Sequence, residues 1–436
     1  MEDSLRSLRD ACVNPDSFFA TPQADLLRLV YKEFANEIDR LKRAYSIREG
    51  QISVSNETPS YVLYQSNYDE VNRTLVGFLS LRWIHLGQYE SFVSSQPPEV
   101  KLTIESFTWI RDFYKAIIVE PDTLYALITS IITNDLGKDP QLAFDYYNVT
   151  GIDISDLNHD AILLKACQAG LIRSLDRLPI EYKNHLIGGI ELGATFNFGQ
   201  LAQAENVPAC LSGLKRMKNN PICFQLRFME QILDIAGAAG HMDSTCAKKL
   251  IQPIFESYRN VFDACQNLTA GSSNLRNAYD LILTRRANWL HECGFSFLDV
   301  NIADNRALLR LLCMGNVTTS ERASLFEGTW NLIEEDTRES LIYALNLDGL
   351  SGEPAVQPTY VPALLSRIKE ELPLTCALRY LSRVMDLSES VDPSVLVVER
   401  SLLGVIKNCV EGGQFNADPT ILESLEVPEG VFALKE

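Results

Sequence analysis

The chain has 436 residues, 46% hydrophobic and 22% charged, a globular make-up long enough for two or three cores or one large helical body. Its formal net charge of −18 excludes a general nucleic-acid binder, because neutralising phosphates takes a basic face, and it argues against docking on an anionic membrane. No apolar run approaches the roughly 18 residues of a membrane span. The charged opening MEDSLRSLRDACVNPDS lacks the apolar stretch of a secretory signal. The ten cysteines form no C-x-x-C pair, so free thiols in a reducing, cytoplasmic setting are expected.

In chain order, Thr21 and Pro22 open a first helix whose stripe runs Leu26, Leu27, Val30, Phe34, Ile38 and Leu41. From Gln51 to Ser66 β-branched and tyrosine residues collect, and this is the one place where strands are expected. Helix returns over Asp69–Ser94, is broken by Pro97 and Pro98, and resumes over Glu99–Val119 with Phe107, Trp109, Ile110 and Phe113.

Pro121 then suits a first helical position, where its missing N–H has no partner to lose. Leu124, Leu127, Ile128, Ile131 and Ile132 follow at helical spacing. The helix runs into a polar knot, Asn134, Asp135, Gly137, Lys138 and Asp139, and Pro140 stops it. Gly137 is expected to end the helix with a positive φ. An acid at a helix C-terminus meets the negative end of the dipole, a cost of about 0.3–1 kcal/mol that a nearby cation offsets. Lys138 is one such cation and a divalent metal is another.

Gln141–Leu157, with Asp145, Tyr146, Tyr147, Asp153 and Asp156, reads as a loop. Asn158 caps a helix over His159–Ala169, so His159 and Asp160 fall in its first turn. A helix around Pro179–Gly188 carries His185. The next stretch holds Gly188, Gly189, Gly193 and Gly199 among phenylalanines, which permits close approach of a ligand or of another helix. A strongly apolar helix spans Pro221–Gly237, followed at once by His241 and Asp243. Later helices are expected over Thr245–Asn267 (kinked at Pro253), Asn274–Cys293, Ala303–Met314, Ser320–Leu347, Pro362–Leu387 and Pro393–Asn408, with Gly349–Pro358 as a late boundary. No repeat is visible. The expected fold is therefore all-α, a large multi-helix bundle divided as 1–120, 121–270 and 271–436.

An apolar helix ending in His-Asp-Ile-Gly-Lys is the signature of HD-domain proteins, a helical family of metal-dependent phosphohydrolases with some oxygenase relatives. The stretch ITNDLGKD resembles it. Asp135, Gly137 and Lys138 match, and Asn134 stands where the family has histidine. The resemblance covers about residues 121–243 and implies an HD-domain-like core. It implies metal ligands from Asp135, His159, His185, His241 and Asp243, with Lys138 and Asp160 in catalytic roles. Carboxylate plus imidazole suits Fe, Mn or Zn, and a carbonyl from Asn suits Mg better. Such a metal-dependent enzyme would hydrolyse a phosphoester or oxidise a small-molecule substrate.

Two other readings stand beside it. Asn134-Asp135-Leu136 is similar to the start of the second metal motif of class I isoprenoid diphosphate cyclases (terpene cyclases). That motif continues with Ser or Thr and then Glu where this chain has Lys138 and Leu142. A non-catalytic helical binding protein is the third reading. No G-x-S-x-G elbow and no phosphate-loop spacing occurs.

Overall fold

The computed structural model describes residues 7–46, 57–218, 220–387 and 392–435. The protein is 65% helical with one small three-stranded sheet, a multi-helix bundle as the periodicities require. It divides into two compact units, Met1–Ala194 with Asn220–Glu256, and Thr195–Asn219 with Ser257–Glu436. This division differs from the three consecutive segments expected, because the first unit recovers a helix from beyond residue 219. Among the described residues no helix is long and apolar enough to cross a membrane.

The longer helices of the first unit are α1 (Gln23–Glu33), α2 (Ala35–Leu41), α3 (Asp69–Leu86), α4 (Ile104–Ile117), α5 (Pro121–Thr133), α6 (Pro140–Thr150), α7 (His159–Gln168), α8 (Ile180–Gly193) and α9 (Pro221–Gly237). Three of them, α3, α5 and α9, are buried on nearly every side. Each fully buried Leu, Ile or Phe contributes about 1.5–3 kcal/mol, and this trio is where the unit concentrates them. Helices α3 and α9 cross with their backbones in contact. A Cβ on Gly237 would lie 2.2 Å from the Arg73 carbonyl oxygen, and one on Gly77 would lie 2.8 Å from that of Leu233.

The second unit holds most of α10 (Gln252–Thr269), then α11 (Leu275–Glu292), α12 (Ala303–Met314), α13 (Ser320–Leu332), α14 (Glu335–Asn346) and α15 (Glu371–Met385). Its sheet joins β1 (Ala355–Thr359) in parallel to β2 (Val395–Ser401), which pairs antiparallel with β3 (Val431–Lys435).

Several local expectations are corrected. Residues 51–56 lie outside the described residues, and Pro59–Tyr64, where strand was expected, is helical with Thr58 as its cap. Of Gln141–Leu157, the part to Thr150 is helix, since Asp139 caps α6 by accepting from the Gln141 N–H at 3.1 Å, and only the part from Gly151 on is loop. Pro253 sits in the first turn of α10, where proline is tolerated, and so imposes no kink. Ser320–Leu347 is two helices, parted where Ile333 turns extended. All three late strands were missed. β1 is buried at all five positions, so it shows no alternation. β2 lies inside the segment read as the last helix, where its valine-rich run favoured strand.

Candidate functional site

The knot closes on itself through packing. After α5 the chain makes one 3-10 turn, Leu136–Lys138, and Asp139 begins the next helix. Gly137 does not take a positive φ. It is needed because the first turn of α7 lies against it, and a Cβ there would fall 1.9 Å from the His159 carbonyl oxygen. This contact brings His159 and Asp160 to the knot.

Inside, Lys138 Nζ lies 2.9 Å from Asp135 Oδ1 and 2.5 Å from Glu70 Oε1. Arg73, one turn along α3 from Glu70, reaches that carboxylate at 3.4 Å. From α9 the Arg227 guanidinium donates to Asn134 Oδ1 at 3.0 Å and to Glu230 Oε2 at 2.6 Å, and it lies 3.9 Å from Asp160. Gly189 and Gly193 of α8 leave room for it, since a Cβ on Gly193 would sit 2.5 Å from Arg227 Nη2. The glycines thus serve helix packing against an arginine. A void of about 10 Å³ is lined by Arg73, Asn134, Asp135, Glu230 and Asp234, about one water's worth of space.

Five carboxylates (Glu70, Asp135, Asp160, Glu230 and Asp234) therefore meet three cations (Arg73, Lys138 and Arg227). Burial pushes Asp135 up, but Lys138, His159 and Arg73 outweigh it and hold the group below the usual carboxylate range. Burial would lower Lys138, yet Asp135, Glu70 and Asp234 keep it raised. Burial raises Glu70, helped by Asp135, and likewise raises Asp234. Glu230 is pushed up to about 8 by burial, which the Arg227 charge only partly opposes. That guanidinium is shared with Asn134 and Asp160, and Glu230 Oε1 has no hydrogen-bond partner. Burial thus favours the protonated form at Glu70, Glu230 and Asp234.

The predicted ligands part company. Asp135 and His159 stand at the knot with Asp160, which lies 3.7 Å from His159 Nε2. His185 is buried on α8, bonded through Nδ1 to the Asn220 amide at 2.9 Å and set edge-on to Tyr182. Burial lowers its pKa. His241 is buried in the turn after α9. Asp243 caps a turn, accepting from the Thr245 N–H at 3.0 Å and from Ser95, and it pairs with Lys248 at 3.7 Å. Among the described residues no group of three or more His, Cys, Asp or Glu side chains is arranged to hold a metal ion. Sequence reasoning missed Glu70, Arg73, Arg227, Glu230 and Asp234. Residues 227, 230 and 234 share one face of an otherwise apolar helix, and charges on such a face signal an internal partner.

On the other side of the knot, Leu136 helps to wall an open cleft of about 630 Å³. Its rim comes from α2, α6 and the turn after α7. Asp139, fully buried, accepts from both Arg40 and Arg43, at 3.1 and 2.7 Å, and Arg40 also pairs with Asp145. No curated protein and no solved structure matches the chain. The family of unknown function DUF6829 matches residues 27–422, and the chain belongs to it.

Proposed function

We propose that this is a helical small-molecule-binding protein whose HD-like core balances its buried charge from within. The observation that carries this reading is the placement of side-chain cations on the motif's own acid and amide: Lys138 at 2.9 Å from Asp135 and Arg227 at 3.0 Å from Asn134. Those are the groups that the resemblance assigns to a metal. An ammonium or guanidinium at hydrogen-bond distance neutralises them without one. The ten free thiols, nine of them buried, support a reducing, cytoplasmic setting.

A second reading keeps the metal-dependent enzyme, acting on a phosphoester or oxidising a small molecule. It is favoured by the excess of carboxylates over cations at the knot, with Asp135, Glu230 and Asp234 lining the void, a surplus of negative charge that a divalent cation would neutralise. Metal content separates the two. Plasma mass spectrometry of the purified chain should find no stoichiometric Fe, Mn, Zn or Mg, and none of these ions should raise its melting temperature. Near-stoichiometric metal would overturn the binding-protein reading in favour of the enzyme.

A further inference from the structure

Three tyrosines and one acid of the first unit gather around a single ammonium. Tyr31 comes from α1, Asp39 from α2 and Tyr64 from the helix Pro59–Tyr64, and Tyr68 stands just before α3. The Tyr64 ring meets those of Tyr31 and Tyr68 edge-on, with centroids 5.4 and 5.6 Å apart and planes at 85° and 86°. Tyr64 donates its hydroxyl to Asp39 Oδ1 at 2.8 Å, and Tyr31 donates to the same oxygen at 3.4 Å. The turn between Tyr64 and Tyr68 is clipped in place. The Tyr68 N–H donates to Ser60 Oγ at 3.0 Å, and the Ser60 N–H donates to Asn72 Oδ1 at 2.8 Å. Into this box Lys42 puts its Nζ, 4.5 Å from the Tyr64 centroid, 6.0 Å from that of Tyr68 and 3.0 Å from Asp39 Oδ1.

Lys42 matches the box poorly. An ammonium carries three N–H donors, and among the described residues Asp39 is its one acceptor. Ring faces attract a cation through their quadrupole, and alkylated ammonium groups are the guests that aromatic boxes of this kind take. The occupant is also weakly held. The side chains of Lys42 and Asp39 are 30% and 41% exposed, and such a pair contributes only about 0–1 kcal/mol. Asp39 lines the cleft of about 630 Å³ as well, so a guest that takes the place of the Lys42 ammonium has room beside it for its remainder. The formal net charge of −18 favours the approach of a cation. We propose that Asp39, Tyr64 and Tyr68 bind the N-methylated ammonium group of a small molecule, which displaces Lys42. A tertiary ammonium fits each feature, with its single N–H on Asp39 Oδ1 and its methyl groups on the rings. This names the ligand class of the binding protein proposed above and rests on that reading for binding without turnover.

The test is calorimetric titration of the full chain with dimethylaminoethanol, against ethanolamine, which lacks the methyl groups, and dimethylbutanol, the uncharged carbon analogue. Dimethylaminoethanol should bind, with the other two weaker by about tenfold or more, equivalent to about 1.4 kcal/mol. Lys42→Ala empties the box and should tighten its binding about threefold. Asp39→Asn keeps an acceptor for both hydroxyls and should weaken binding about tenfold, erasing the preference over dimethylbutanol. Tyr64→Leu removes a ring face and should weaken it similarly. Lys42 and Asp39 are partly exposed, so their variants test the proposal even where Tyr64→Leu fails to fold. The proposal is overturned if neither the unaltered chain nor Lys42→Ala binds dimethylaminoethanol at about 10 mM, if ethanolamine or dimethylbutanol binds as tightly, or if Lys42→Ala and Asp39→Asn both leave its binding unchanged. A metal-bearing chain that binds dimethylaminoethanol in this pattern overturns the metal-free reading alone. A metal-free chain that ignores it overturns this proposal alone.

Discussion

In the first unit, buried cations meet carboxylates; in the second, they chiefly meet carbonyl oxygens. Arg310, fully buried, donates to the Leu345 carbonyl at 2.8 Å and to those of Ala204 and Asn206 at 3.2 Å. Arg306 donates to Leu345 at 3.0 Å and to Asp280 at 2.7 Å. The Tyr279 ring lies 5.4 and 5.5 Å from the two guanidinium groups. Carbonyl oxygens do not titrate, so the Arg310 cluster acts as a fixed staple between segments distant in sequence. The cluster at the knot is made of groups that can exchange protons, and it holds more acid than base. A staple needs only stability. A titratable surplus beside a void costs stability, and it marks the unit in which function is to be sought.

The largest expected effect separates the two clusters by pH. Lys138→Met leaves Asp135 and Glu70 buried without their ammonium, a loss of about 3–5 kcal/mol. Without Lys138 both carboxyls titrate higher, so they are protonated at low pH and the loss should be smaller at pH 5 than at pH 8. Arg310→Met takes a donor from three carbonyls, but Leu345 keeps Arg306 and Ala204 keeps the Tyr279 hydroxyl, so that of Asn206 is left unmet at about 1–3 kcal/mol before relaxation, and the cost should be the same at both pH values. Urea unfolding at the two pH values reads the difference, and equal pH dependence would dissolve the contrast.

A smaller effect tests how the knot is held. Gly137→Ala should cost about 1–3 kcal/mol by overpacking, because the new methyl meets the His159 backbone and no flexible side chain can yield. Ala is otherwise the better residue in a turn with negative φ. A stabilised variant in thermal melts would show that α7 is not pressed against the knot.

The last effect is a slope. Glu230 has a folded pKa raised to about 8, well above the ordinary glutamate value of about 4.3. The folded state therefore binds the extra proton between those values, and stability falls as pH rises through that window, by up to about 1.4 kcal/mol per pH unit. Glu230→Gln should flatten the slope between pH 5 and 8. In the second unit Glu205 is also raised to about 8 by burial, partly opposed by the Val361 and Tyr360 N–H groups. Glu205→Gln should remove a comparable share. If neither variant changes the slope, both carboxylates are ionised in the folded protein.

The helices carrying the knot were legible because their signals are local. Pro121 opens its helix and Pro221–Gly237 is bounded as its proline and glycine suggest, as in the second unit is Ala303–Met314 by its apolar spacing. The first-turn placement of His159 and Asp160 followed from the Asn158 cap. The sheet was not legible, because β1 pairs with a strand some forty residues on and its five buried positions show no period of two. Nor was the partner of the knot. Arg227 and Glu230 lie more than ninety residues from Asn134, on a helix whose apolar character hid its charged face.

By itself the sequence determined that the protein is a helical body, that Asp135 ends an apolar helix, and that Lys138 stands three residues on. Only the tertiary structure decided which further charges crowd that pair, since α3 supplies Glu70 and Arg73 and α9 supplies Arg227 and Glu230, and no local spacing encodes that crossing. Helix formation is a sum of near-neighbour preferences, whereas the balance of a buried charge depends on whichever distant side chain reaches it first through a low-dielectric interior.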